Sequence, residues 1–189
     1  MARWRSGSEA RLAEAALDLF IDQGYEQTTV SEIAGRAGLT ERTFYRYFAD
    51  KREVLFGGRD GLERELVHVI AGLPASIAPL DAIAVALDHV ATHYFADRGP
   101  VALKRQAVIE ANPDLQEREL LKMASLAAAI GRTLHDRGVS EPAASLAAEA
   151  GVAVFRIAFS QWVALGNERT LSDLIRSTLA DLRTVTGGT

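Results

Sequence analysis

Thr29, Gly38 and Thr40 together constrain this chain more than any other part of it. A threonine hydroxyl caps a helix by accepting from the backbone N–H two or three residues on, and Glu32 stands where a capping box needs its acid. After Thr29, the residues Val30, Ile33, Ala34 and Ala37 form one apolar stripe before Gly38 breaks the run. After Thr40, Phe44 and Phe48 lie at i and i+4 on one side of a second helix. The pattern predicts two very short helices across a tight glycine turn. A third segment precedes them: Leu12, Ala16, Leu19 and Phe20 share a face, Glu14, Asp18 and Asp22 take the others, and Gly24 supplies a stop.

Two short helices joined in this way form a helix-turn-helix, in which the first braces the second and the second offers its N-terminal residues to the DNA major groove. With Phe44 and Phe48 inward, Arg42, Thr43 and Arg46 point outward, flanked by Tyr45 and Tyr47. Arg42 is suited to a bidentate bond to guanine, Glu41 to accept from cytosine, and Thr43 to touch a thymine methyl. The tyrosine hydroxyls and Lys51 are suited to phosphates. Thr29 and Thr40 are caps first, and candidate contacts as well, because a capped helix N-terminus attracts phosphate. Residues 1–56 carry eight Lys or Arg against nine Asp or Glu, a net of −1. Attraction to DNA must therefore come from the local placement of Arg3, Arg5, Arg11, Arg42, Arg46 and Lys51, with Arg3-Trp4-Arg5 a candidate groove-following arm.

The runs Ala15-Ala16-Leu17-Asp18-Leu19-Phe20, Gly24-Tyr25, Thr28-Thr29-Val30, Ile33-Ala34, Ala37-Gly38 and Thr43-Phe44-Tyr45-Arg46-Tyr47-Phe48 with Lys51 closely resemble, in this order, the TetR family of transcriptional regulators. The resemblance covers Arg11 to Leu55, under a third of the chain. It implies that Thr40, Glu41, Arg42 and Thr43 meet base edges, and that Thr29, Tyr45, Tyr47 and Lys51 meet the DNA backbone. It also implies a body that binds a small molecule and then releases DNA, and a homodimer formed through the last two helices. One departure stands out: where the family runs an unbroken connecting helix, this chain reads Phe56-Gly57-Gly58-Arg59-Asp60-Gly61. Each interior glycine costs a helix up to about 1 kcal/mol relative to alanine, so Gly57-Gly58 is either a hinge or a device for close packing. The expected division is a DNA-binding domain over 1–56 and a ligand-binding and dimerisation domain over 57–189.

Turn residues at Gly72 to Pro74, Pro79, Gly99-Pro100, Asn112-Pro113, Gly138 to Pro142 and Gly166 to Thr170 divide the remainder into about six helices. No run of alternating β-branched residues bounded by hairpin turns occurs. The expected fold is all-α: a three-helix helix-turn-helix head followed by a helical bundle, about nine helices in all. Ala143 to Leu165 is apolar on every side and needs cover all round, while Thr170 and Asp173 open an amphipathic helix. A two-fold interface is expected from these segments, at Phe155, Phe159, Trp162, Leu171, Leu174, Ile175, Leu179 and Leu182. Candidate ligand contacts are the aromatic and polar groups of the body: His68, His89, His93, Tyr94, Phe95, Arg105, Gln106, Met123, Phe155, Phe159 and Trp162.

Rival functions fit less well. With no cysteine there is no disulfide, thiolate metal site or cysteine nucleophile, and the cytoplasm is the default compartment. Glu9, Glu14 and Asp18 spoil an N-terminal secretory segment, and Glu149, Arg156 and Gln161 interrupt the most apolar window, so no membrane association is expected. Glu65-Leu66-Val67-His68, with His89 and His93 at i, i+4, suggests a helical-bundle metal enzyme, but the second Glu-x-x-His that a di-iron bundle needs is absent. No phosphate loop, dinucleotide fingerprint or nucleophile elbow occurs. The sequence thus points to no catalytic residue, metal site or cofactor, and to a ligand-responsive repressor of a palindromic operator. A body that binds a protein partner, or an activator, is the alternative.

Overall fold

The computed structural model describes residues 7–57, 61–164 and 168–187. Arg3-Trp4-Arg5, Gly58 and Gly166 lie outside the described residues. Those described form ten α-helices and no strand: α1 (Gly7–Asp22), α2 (Val30–Arg36), α3 (Glu41–Tyr47), α4 (Glu53–Phe56), α5 (Gly61–Gly72), α6 (Pro79–His89), α7 (Gly99–Glu110), α8 (Pro113–Asp136), α9 (Ala143–Trp162) and α10 (Leu171–Thr186). A single π-helical turn, Val90–Tyr94, continues α6. The all-α expectation holds. The number agrees with the expected count of about nine, and α4 ends at Gly57, whose φ of 68° no continuing helix accepts.

The chain forms two compact units. The first comprises Met1–Gly61 and Lys104–Leu120. Its core joins Leu12, Phe20, Ile33, Phe44, Phe48 and Leu55 to Val108, Ile109 and Leu115, the last two 1% and 0% exposed. Burying each such side chain contributes about 1.5–3 kcal/mol. Directed bonds reinforce the packing: Arg105 Nε donates to the Leu55 carbonyl at 2.7 Å and its guanidinium pairs with Glu119 at 3.0 Å, while Arg118 pairs with Glu53 at 2.5 Å.

The second unit comprises Leu62–Leu103 and Leu121–Thr189. Leu66 and Ile70 of α5, Ile83 and Leu87 of α6, Ile130 and Leu134 of α8, Val152 and Phe155 of α9, and Leu174 and Ile175 of α10 make its core. At Gly151 the α9 backbone lies so close to α6 that an added Cβ would sit 2.5 Å from Ile83 Cγ2. The residues expected at a subunit interface are taken up by this core. Phe155, Leu171, Leu174, Ile175 and Leu179 are buried in it, and Phe159, Trp162 and Leu182 pack against it. Because α9 is apolar on both sides, periodicity alone could not say which side its own chain would cover.

Candidate nucleic-acid interface

The recognition pair is held by the bonds the sequence predicts. Thr29 accepts from the Glu32 N–H at 3.2 Å and Glu32 returns the bond by accepting from the Thr29 N–H at 2.8 Å, completing the capping box. That backbone donor, with the Thr29 hydroxyl, holds the Glu32 carboxyl below its ordinary pKa. Thr40 accepts from the Thr43 N–H at 3.2 Å and starts α3, whose inward side is Phe44 at 0% exposure. Gly38, at φ 62°, makes the turn between α2 and α3.

Two cations counted toward DNA attraction are occupied inside the head. Lys51 Nζ donates to the carbonyls of Tyr25 at 2.6 Å and Thr28 at 3.0 Å and lies 4.1 Å from the Tyr25 ring centroid, tying down the loop that enters α2. Burial beside this cluster pushes the Tyr25 hydroxyl up to about 12. Arg11 donates to the carbonyl of Ala37 at the other end of α2. A guanidinium at a helix C-terminus also answers the partial negative charge there. Sequence reasoning missed this brace, because its two partners stand 26 residues apart in the chain. The segment after α3 is held in the same way. Burial raises the Asp50 pKa, but bonds from Arg52 and the Glu53 N–H outweigh it, and the carboxyl sits below its ordinary value.

The outward face of α3 is what remains. Glu41, Arg42 and Tyr45 are exposed, and Glu41 and Arg42 make no hydrogen bond or ion pair among the described residues. Thr43 is half-buried with its hydroxyl 3.1 Å from that of Thr40. Arg46 donates to the Tyr47 hydroxyl at 3.1 Å, which fixes both side chains at the end of the helix. A donor fork and a carboxylate thus stand unpartnered among the described residues, beside the exposed Tyr45, whose ring rests edge-on against Phe44 at 5.5 Å, on a helix whose geometry is set by its caps.

The ligand candidates divide between the units. Arg105 and Gln106 belong to the first, where Arg105 grips α4 and Gln106 donates to Glu110. In the second, Tyr94, Phe95, Phe155, Phe159 and Trp162 form a continuous aromatic cluster with centroid separations of 4.9 to 6.0 Å. Phe95 and Trp162 also line an open groove of about 650 Å³ rimmed by Asp88, Thr92, Asp173 and Arg176. His89 and His93 stack at 4.3 Å with Glu65 3.9 Å from His89, His68 is exposed, and Met123 packs on the core.

A capped, outward-facing helix braced by a second short helix is the geometry of a helix-turn-helix, the motif that places its second helix in the DNA major groove. Residues 12–57 match the family model for bacterial regulatory proteins of the tetR family. The chain is 38% identical over 73 residues to the HTH-type transcriptional regulator TcmR of Streptomyces glaucescens, covering 39% of this chain and 32% of that one. It is 37% identical over 67 residues to the HTH-type transcriptional regulator HbdR of Aromatoleum sp., covering 33% and 29%. Over residues 12–57, then, the chain is similar to bacterial regulatory proteins of the tetR family. The matched segment spans about a third of the length of each of these two relatives. Among solved structures, a chain from Syntrophomonas wolfei assigned to the same family superposes with a TM-score of 0.67 at 19% identity, covering 96% of this chain and 95% of that one. Bacillus subtilis FadR, in complex with stearoyl-CoA, superposes with a TM-score of 0.55 at 20% identity, covering 92% and 96%. These likenesses carry the fold.

Proposed function

We propose that this protein is a transcriptional regulator that binds an inverted-repeat operator as a homodimer in the cytoplasm and represses until a small molecule releases it. The observation that carries the reading is the outward face of α3, with Glu41, Arg42 and Tyr45 exposed and the helix beneath them fixed at Thr40. Arg42 reads guanine, Glu41 reads cytosine and Thr43 touches a thymine methyl. Tyr45, Tyr47, Arg46 and the N-terminus of α2 at Thr29 take phosphates. Lys51 supports the phosphate contacts by fixing the loop before α2.

The groove beside Phe95 and Trp162 takes the effector, a molecule with both an apolar and a polar or charged part, since Phe95, Trp162 and Leu171 share its lining with Asp88, Asp173 and Arg176. To act, the effector must prefer the DNA-incompetent state, by about 1–3 kcal/mol in a typical coupled system. Titrating the protein against inverted repeats selected from random duplex tests the reading. Two chains bound per site, and affinity lost with Arg42→Ala, support it; binding of single chains without sequence preference overturns it.

A further inference from the structure

Glu65 of α5, His89 at the end of α6 and His93 in the π-helical turn that follows stand together in the second unit, and the reading of DNA by α3 uses none of them. The two histidine rings stack with their centroids 4.3 Å apart, and His89 Nε2 lies 3.9 Å from Glu65 Oε2. That separation is too long for a hydrogen bond, which spans about 2.7–3.2 Å. Two tetrahedral ligands, each about 2.0–2.1 Å from a zinc ion, stand about 3.4 Å apart, so a small closure lets a cation bridge the pair. His93 Nδ1 is 3.0 Å from the His89 carbonyl oxygen. A carbonyl only accepts, so Nδ1 carries the proton and Nε2 keeps the lone pair. A ring N–H held on a backbone carbonyl is the outer support that metal-ligating histidines ordinarily have. The setting is a single π-helical turn, a rare element that is frequent at functional sites.

We propose that Glu65, His89 and His93 bind one divalent late first-row transition metal, with zinc the reference ion. Imidazole nitrogens suit zinc, nickel and copper, whereas magnesium and calcium take oxygen ligands. Histidines at i and i+4 share one side of a helix, which lets a single ion meet both, and Glu65 reaches the pair from α5 with a negative charge. Among the described residues no three ligating groups already converge on one point, so the imidazoles must turn out of their stack toward Glu65. Solvent exposure permits this: His93 is exposed, and the side chains of His89 and Glu65 keep 38% and 39% of their accessible surface. Water takes the remaining coordination position. The bound ion ties α5 to the end of α6. Asp88 and Thr92, the chain neighbours of the two histidines, line the groove instead. The metal site is therefore separate from the effector groove, and it does not depend on the DNA-binding reading.

Equilibrium dialysis of the tag-free chain against micromolar Zn2+ in excess Mg2+ tests this, with circular dichroism confirming that each variant is folded. One zinc ion per native chain is expected to be retained. His89→Ala and His93→Ala should each weaken retention by more than about tenfold, the least that losing an outer-shell partner costs. Glu65→Gln, which keeps the shape and loses the charge, should weaken it as well. In long-range proton–nitrogen NMR spectra, Nε2 of both histidines should shift on adding Zn2+ while His93 Nδ1 keeps its proton. No zinc retained by the native chain, or undiminished retention by the His89→Ala/His93→Ala double variant, overturns the site. Undiminished retention by Glu65→Gln overturns the three-ligand assignment.

Discussion

The two units of this chain are stabilised in different ways. In the unit that holds the recognition helix, polar side chains close on backbone groups at named positions: Thr29 and Thr40 on helix starts, Lys51 and Arg11 on the carbonyls at the two ends of α2, and Arg105 on the carbonyl of Leu55. In the other unit the interior is aliphatic and aromatic, and the ion pairs, such as Arg183 with Asp81 at 2.5 Å, lie at the surface where they contribute little. Hydrogen bonds are directional and fix one geometry, while apolar burial is not and tolerates repacking. A helix that must hold one face outward needs the first kind of support, and the second leaves a unit free to repack.

Substitutions that break this contrast should rank accordingly. Phe44→Ala removes a fully buried ring from the head, and a loss of about 3–5 kcal/mol in unfolding experiments, with DNA binding abolished, is expected; Phe159→Ala, half-buried in the aromatic cluster, should leave DNA binding intact. Lys51→Met leaves the Tyr25 and Thr28 carbonyls without their donor and should cost about 1–3 kcal/mol. As a brace, Lys51 should leave the slope of log affinity against log salt unchanged in that variant, whereas a lost phosphate contact would lower it by about 0.9 per phosphate. Gly57→Ala forces a side chain to φ 68° and should destabilise by about 1–2 kcal/mol; altered effector response in the same variant would mark a hinge.

The smallest effect concerns pH. Glu32 is held below its ordinary pKa in the fold, so its capping contribution is full above the unfolded value of 4.5 and is lost as pH falls through the lower folded value. Unfolding of the native chain should therefore grow easier in that acid window, and Glu32→Gln should flatten the dependence.

Much of the head was legible because its signals are local. Thr29 with Glu32, Thr40, Gly38, and the inward pair Phe44 and Phe48 each act within a few residues, and each stands where the spacing put it except Phe48, which is buried as expected but lies just past the end of α3 in extended backbone. What escaped the sequence involves partners far along the chain. Lys51 reads as a phosphate contact until the loop at Tyr25 folds beneath it, and Val108, Ile109 and Leu115 give no sign that they complete the head. Likewise the apolar pattern of α9 and α10 announced burial without saying which side the protomer itself would cover. Leu174 and Ile175 were thus expected at a subunit interface, and they fill the core instead.

The most direct test is binding-site selection from random duplex with the native chain and with Arg42→Ala, followed by anisotropy titration of the recovered site. The account predicts an inverted repeat bound tightly by the native chain, with Arg42→Ala weakened by about 1–3 kcal/mol and specificity relaxed at one guanine in each half-site. Recovery of the same site with undiminished affinity by Arg42→Ala, or of no site by the native chain, would contradict it.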